Sequence, residues 1–382
     1  MEIFHIWDLD RVNIRLDYNF LKKVNILLIK KFKFKREAWK LIFPCGDIPF
    51  GSFKNSLKES SYKKFFFPLD VWLRIIDFLK IPRDEFEKSI TSYKTAGGVN
   101  YIESPILPIV INPIFHMIFA HNIGDGTVIN PKKGRLPYFG YRQFDEFYRL
   151  AYVKKLEYIF GKIKYQKEYF IKSTRPYCPA MISSLFFKYY KFSIEDFLSD
   201  RARITGPLLN SDKDSLLAVL IAFIIDEGYI DSTQISICLK NKLLINDLKQ
   251  ICDKLNYESK ITEPISEISK HYARLHILRR GMKKLFEDYI HLNERYPIIN
   301  LGKKGKKIED SFKIYNRKII KKKGNQDNIL SILIEEQLSV NQIAERIGMT
   351  RQGVRFHIHN LIKQNKIELI DKNKLNWEYK AC

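Results

Sequence analysis

Two apolar stretches, each ending in an acid followed by glycine, constrain this chain more than any other feature. The first reads Ile118-Phe119-Ala120-His121-Asn122-Ile123-Gly124-Asp125-Gly126 and the second Leu220-Ile221-Ala222-Phe223-Ile224-Ile225-Asp226-Glu227-Gly228. Both predict buried helices that stop at glycine, with a carboxylate just before the stop. Ala120 and Gly124 are four apart and share a face that admits another helix, and Ala222 supplies a matching small residue on the second helix. Packed on these faces, the helices bring Asp125 and Glu227 together at one end. Carboxylates in contact repel and stay ionised only with a cation between them. The negative end of each helix adds to the same demand. Hard oxygen ligands with open positions suit Mg²⁺, which completes its shell with water and phosphate oxygens and supports phosphodiester hydrolysis.

Composition agrees with such a substrate. Lys+Arg number 66 against 43 Asp+Glu, a formal charge of +23, which favours a polyanionic partner through counterion release. The hydrophobic fraction of 45% is that of a folded protein. Five cysteines lack CxxC spacing, so neither a zinc site nor a disulfide framework is expected, and a reducing cytoplasm is the expected location. The longest apolar run, Leu216 to Ile225, is too short to span a bilayer, so no membrane role is expected. Met1 opens no signal-like core, and no catalytic Cys or Ser at the start pairs with a His-Asn at the end, so a freestanding protein is expected rather than an embedded splicing element.

Along the chain, four segments separate. Residues 1–95 read as helical, with Phe50 to Leu57 a short basic helix, Pro68 to Leu79 an amphipathic one and Pro82 to Ile90 another. That series is compatible with a degenerate helix-turn-helix and equally with a packing domain. After a hinge at Ala96-Gly97-Gly98, residues 96–301 read as two similar halves. In the second half, Gln234–Lys240 alternates as a strand, Leu243–Leu255 is a helix, Ser259–Thr262 and Tyr272–Leu278 are strands, and Met282–His291 is a helix. In the first half the same order falls on Tyr138–Phe144, Glu146–Phe160, Lys162–Phe170 and Met181–Tyr190. The result is an α+β duplication, αββαββα twice over. Residues 302–325 form a lysine-rich connector, expected to be a solvated linker. Residues 326–382 read as three helices, with Ser339 and Thr350 capping the second and third and Gly348 turning between them, followed by a two-stranded wing from Ile367 to Tyr379.

The paired acid-glycine helices and the repeated helix–strand order through about residues 110–295 resemble the double-motif LAGLIDADG homing endonucleases. The resemblance implies a concave sheet from each half lying in the DNA major groove, with Asp125 and Glu227 as metal ligands facing the scissile phosphates. Asn122 and Ile123 depart from the usual motif, and Asp226 stands where a small interface residue is usual. Residues 326–382 resemble a winged helix-turn-helix, with Arg351, Gln352 and Arg355 placed to enter a groove.

Strand alternation offers further contacts: Ser232, Gln234, Ser236 and Lys240 share one side of a strand, Arg274 and His276 one side of another, and Tyr138, Arg142, Lys162 and Lys164 are weaker counterparts in the first half. Lys240 is also a candidate to polarise the attacking water, as a basic residue does in the resembled family. The leading expectation is a Mg²⁺-dependent (or other hard divalent cation), site-specific double-strand DNA endonuclease acting as a pseudo-symmetric monomer. Two rivals stand beside it: a non-cleaving DNA-binding regulator on the same fold, and an RNA-splicing maturase.

Overall fold

The computed structural model describes residues 2–58, 65–130, 135–165, 175–198, 201–262, 272–316, 324–372 and 377–381. It divides into two compact units, Met1–Asp310 and Ser311–Cys382, both mixing helices with small antiparallel sheets. Residues 166–170 of one expected strand, 317–323 of the basic connector and 373–376 of the expected wing lie outside the described residues.

The first unit opens with β1 (Ile3–Phe4), β2 (Val12–Leu16), α1 (Tyr18–Lys31), α2 (Lys35–Ile42), α3 (Phe50–Ser56), β3 (Phe67–Pro68), α4 (Leu69–Leu79), α5 (Arg83–Lys88), β4 (Ile90–Thr95), β5 (Tyr101–Pro105) and β6 (Ile109–Val110). The helices expected at Phe50 and Pro68 are present. The segment is not purely helical, however. Val12, Ile14 and Leu16 point inward in alternation, and β2 joins a five-stranded antiparallel sheet in the order β3-β2-β4-β5-β9. These strands are too short to outweigh the neighbouring helical periodicity in the sequence. Ala96-Gly97-Gly98, expected as a hinge between domains, turns the β4–β5 hairpin instead, with Gly97 at φ +75°. The chain before and after residue 95 therefore shares one sheet.

Next come α6 (Pro113–Gly124), β7 (Gly126–Ile129), β8 (Tyr138–Tyr141), α7 (Glu146–Phe160), β9 (Gly161–Lys164), α8 (Ala180–Tyr189), α9 (Ile194–Leu198), α10 (Gly206–Leu209) and α11 (Lys213–Glu227). Helices α6 and α11 pack along one another and are buried on every side, from Pro113 to Ile123 and from Ser215 to Ile225. A helix apolar all round has no face for solvent, so these two form the centre of the unit. Asn112 caps the start of α6 by accepting from Ile114 N and Phe115 N, and Asp212 caps α11 by accepting from Ser215 N.

After α11 follow β10 (Gly228–Ile230), β11 (Gln234–Leu239), α12 (Lys242–Lys254), β12 (Ser259–Thr262), β13 (Ala273–Leu278), α13 (Arg279–Arg295) and α14 (Lys303–Asn316). The four strands make one antiparallel sheet, β10-β11-β13-β12, with Ser236 opposite His276 and Cys238 opposite Arg274. Ile235, Ile237, Leu275 and Ile277 are buried on one face, against α12 and α13. In the first half the helices recur in the expected order but the sheet is split. Strand β8 pairs with β7 and is met on its other edge by Pro176–Cys178, while β9 pairs with β5. The basic connector differs too: most of its described part is helix α14, with Ile308 fully buried.

The second unit contains the end of α14, then α15 (Asn325–Glu335), β14 (Leu338–Ser339), α16 (Val340–Ile347), α17 (Arg351–Lys363), β15 (Ile367–Lys372) and β16 (Trp377–Ala381). Ser339 and Thr350 cap α16 and α17, and Gly348 turns between them at φ +67°, as the sequence predicts. Ile329, Leu333, Ile343, Val354, Ile358, Leu361 and Tyr379 form its core.

The glycines after the two acids have one steric cause. A Cβ on Gly126 would lie 1.8 Å from Asn122 O, and one on Gly228 would lie 2.5 Å from Ile224 O. Each departing strand starts against a carbonyl in the last turn of its helix, where no side chain fits. Gly126→Ala and Gly228→Ala are each expected to lose about 2 kcal/mol or more of stability in chemical denaturation, since the obstacle is backbone and cannot swing away. Wild-type midpoints in both would contradict this cause.

Candidate functional site

The ends of α6 and α11 converge on three carboxylates. Asp125 ends α6, and its Oδ2 accepts from Gln143 Nε2 at 2.7 Å. Glu227 is the last residue of α11, and Asp226 precedes it. Gly124 makes the junction fit. A Cβ there would lie 2.9 Å from Asp226 Oδ2, so the missing side chain on α6 is the space that the acid on α11 occupies. The departure at Asp226 is thus accommodated across the helix pair.

Asp226 is wholly enclosed, with 0% of its side chain exposed. Tyr141 donates its hydroxyl to Oδ1 at 2.7 Å, and His121 Nδ1 lies 2.9 Å from Oδ2. Burial pushes the Asp226 carboxyl up to about 8, opposed by the Tyr141 hydrogen bond and the charges of Lys155 and Lys304. Lys155 is itself buried; that pushes its ammonium down to about 8, against the pull of Asp226. Burial, then Lys155, hold His121 well below the ordinary imidazole range. Asp125 is raised to about 8 by burial first and by the charges of Asp226 and Glu227 second, while Lys304 and Arg142 oppose. Glu227 moves up for the same reasons, burial and then Asp226. The carboxyls of Asp125 and Glu227 are less deeply buried than that of Asp226.

Lys304, from the connector, joins Lys155 and Arg142 as a cation acting on these acids. Its Nζ donates to Ile224 O at 2.8 Å and to Ile225 O at 2.5 Å, two carbonyls in the last turn of α11, the first of which also accepts from Gly228 N. Burial lowers its pKa, and Asp226, Asp125 and Glu227 pull it back up. Nothing in the run Lys303-Lys304-Gly305-Lys306-Lys307 distinguishes this lysine, so the sequence could not single it out. His121 and Tyr141 were also missed; a histidine one turn before Asp125 in an apolar helix was the available signal.

Lys240 stands elsewhere. It follows β11, beyond the Leu239–Ala273 pair, is exposed, and its ammonium lies 5.8 Å from the Tyr272 ring centre. It is not among the charges acting on Asp125, Asp226 or Glu227.

The outer face of the four-stranded sheet carries the row Tyr229–Ser236–His276–Lys260, with Gln234, Arg274 and Thr262 on the same face. Ser236 Oγ lies 2.9 Å from His276 Nδ1, and Thr262 Oγ1 lies 2.8 Å from His276 Nε2. Both ring nitrogens are thus engaged within the sheet. Tyr229, 68% exposed, was not anticipated. In the first half, Arg142 follows β8 and stacks over Phe144, while Lys162 and Lys164 lie on β9, in the five-stranded sheet; Lys164 pairs with Glu103 at 3.0 Å. Those two lysines therefore stand on a different sheet from Tyr138 and Arg142. In the second unit Arg351, Gln352 and Arg355 are exposed on the first turns of α17.

No protein-family profile matches the chain, and no curated protein matches it in sequence. Solved structures with some likeness include mesophilic variants of the homing endonuclease I-DmoI, at 14% identity and a TM-score of 0.35, covering 52% of this chain and 97% of that one. I-DmoI in complex with DNA and Ca aligns over the same shares at 15% identity and a TM-score of 0.35. Full-length DUF199/WhiA from Thermatoga maritima aligns at 14% identity and a TM-score of 0.31, over 66% of this chain and 90% of that one. Likenesses of this size leave the functional reading to the residues themselves.

The junction has a measurable consequence. Asp226 has a folded-state pKa above its unfolded value, so the native chain holds more protons than the unfolded one between about pH 4 and 8. The carboxyl therefore favours folding fully below pH 4, and that contribution is lost as pH rises toward 8. Asp226→Asn is expected to flatten this slope and to be more stable than the parent at pH 8 by about 1 kcal/mol or more, measured by urea denaturation at pH 5 and 8. An unchanged slope would contradict the assignment.

Proposed function

We propose that this protein is a divalent-metal-dependent, site-specific endonuclease for double-stranded DNA, a pseudo-symmetric monomer on a duplicated αββαββα core of LAGLIDADG type. One observation carries the reading: α6 and α11, buried on all sides, deliver two partly open carboxylates, Asp125 and Glu227, to one point. A monomer that cuts both strands needs such a junction of two halves.

Mg²⁺ or another hard divalent cation fits this donor set. No trio of His, Cys, Asp or Glu in a metal-ligating arrangement occurs among the described residues, but two carboxylates suffice for an ion that keeps water and phosphate oxygens. Asp125 and Glu227 would hold it; Asp226 is committed to Tyr141 and His121. Bound there, the ion would activate water and stabilise the leaving oxygen. The chain's own groups do the rest. Gln143 orients Asp125, and Lys304 fixes the end of α11 beside Glu227. Gln234, Ser236, Arg274 and His276, joined by Tyr229 and Lys260, present the face for the major groove, with Ser236 setting the His276 ring; Arg142, Lys162 and Lys164 serve phosphates. Lys240 serves the backbone in this reading, since Lys304, Lys155 and Arg142 are the cations acting on the acids. The second unit acts as a winged helix-turn-helix, with Arg351, Gln352 and Arg355 of α17 toward base edges.

A non-cleaving DNA-binding regulator is the second reading, and Lys304 favours it: an ammonium already balances part of the acidic charge without a metal. Cleavage of a plasmid library with Mg²⁺, compared with EDTA, separates the two. Asp125→Asn or Glu227→Gln is expected to lower cleavage by roughly a hundredfold or more while duplex binding survives. Full cleavage by both variants would sink the assignment.

A further inference from the structure

A cavity lies between the β4–β5 turn and the start of α8, lined by groups that the carboxylate site does not use. Its volume is about 390 Å³, within the range of small-molecule sites. We infer that it binds a nucleotide, a phosphate ester carrying a planar base, through Arg11, Arg135, Asn100 and the Tyr138–Tyr177 pair.

Charge is the first argument. Arg11 and Arg135 line the cavity, and no carboxylate does so among the described residues. Cys178, Pro179 and Ala180 bring the start of the ten-residue α8 to its wall, where Thr95 Oγ1, also in the lining, accepts from Met181 N at 3.1 Å and so caps that end. Two guanidiniums converging on one cavity favour an anion, and phosphate meets such donors with charge-assisted hydrogen bonds.

The backbone is held to build this wall. Arg11 sits at φ +53°, which costs a residue with a side chain about 1 kcal/mol, and its carbonyl accepts from Ala96 N at 2.7 Å. Gly97 at φ +75° completes the turn. The strained arginine and the turn fix each other at the mouth.

Two further groups suit a base. Tyr138 and Tyr177 line the cavity as an edge-to-face pair, 5.5 Å between ring centres, and offer aromatic surface for a planar ring. Asn100 also lines it, and its buried Oδ1 has no hydrogen-bond partner among the described residues. A buried acceptor without a partner is costly, and an amino or ring N–H of a base would satisfy it. Phosphate alone would leave Asn100 Oδ1 without a donor, and an uncharged ring would not draw on the charge of the two guanidiniums. The inference does not depend on the nuclease reading. By strand alternation Tyr138 is on the opposite face of β8 from Tyr141, which serves the carboxylates.

The nucleotide comes either free or as part of a single strand, and calorimetric titration of the full chain without divalent ions distinguishes these. The probes are AMP, GMP, CMP and UMP, adenosine, inorganic phosphate, and a 5′-phosphorylated single-stranded hexamer. For a free nucleotide, at least one monophosphate binds at one site, and adenosine and phosphate bind about tenfold more weakly or worse. Arg135→Gln is expected to weaken it about tenfold, as loss of a charge-assisted contact does. Ala96→Glu, at an exposed position on the rim, is expected to do the same by repulsion; its unchanged melting temperature keeps the test decisive should Arg135→Gln not fold. If only the hexamer binds, and both folded variants weaken it, the ligand is a nucleotide of a strand. Absence of binding by every monophosphate and the hexamer, or binding indifferent to the folded variants, overturns the inference.

Discussion

The packing of α6 against α11 is the constraint on which the rest of the first unit depends. Both helices lack a solvent face, so they must lie in the core, and once there their ends must meet. The meeting concentrates three carboxylates where burial makes ionisation costly. A set of neighbouring polar groups answers that cost. Tyr141 and His121 engage Asp226, Lys155 lies buried within range of its charge, Gln143 engages Asp125, and Lys304 binds the last carbonyls of α11. The absent side chain at Gly124 gives the innermost acid its room.

Much of this was legible in the sequence, for a physical reason. The acid-glycine ends were readable because a strand starting against a carbonyl of the last helical turn excludes any side chain, and only glycine meets that condition at Gly126 and Gly228. The second-half sheet was readable because Ile235, Ile237, Leu275 and Ile277 alternate with polar neighbours in long enough runs. The caps at Ser339 and Thr350 follow from local chemistry alone. What stayed hidden was nonlocal. No local pattern reveals that β9 pairs with β5, or that the start of the lysine-rich connector returns to the acids. Short strands such as β2 sit beside long helical periodicities and are outweighed by them. Lys304 had five basic or glycine neighbours of equal appearance.

Strand β8 joins the two sites argued above. Phe139 and Tyr141 are buried on its inner face, with Tyr141 reaching Asp226, while Tyr138 belongs to the cavity under the β4–β5 turn. Its period of two sorts carboxylate chemistry from anion recognition on a few residues of backbone. Glycine at position 140 serves that sorting, because a Cβ there would press on the Tyr177 ring at 3.0 Å.

The central claim is that Asp125 and Glu227 together form a divalent-cation site. Electron paramagnetic resonance of Mn²⁺ titrated into the full chain tests it directly. The expected result is saturable binding that displaces free-ion signal in the parent and is lost when both residues carry their amide counterparts. Identical Mn²⁺ uptake by the parent and the double variant would contradict the claim.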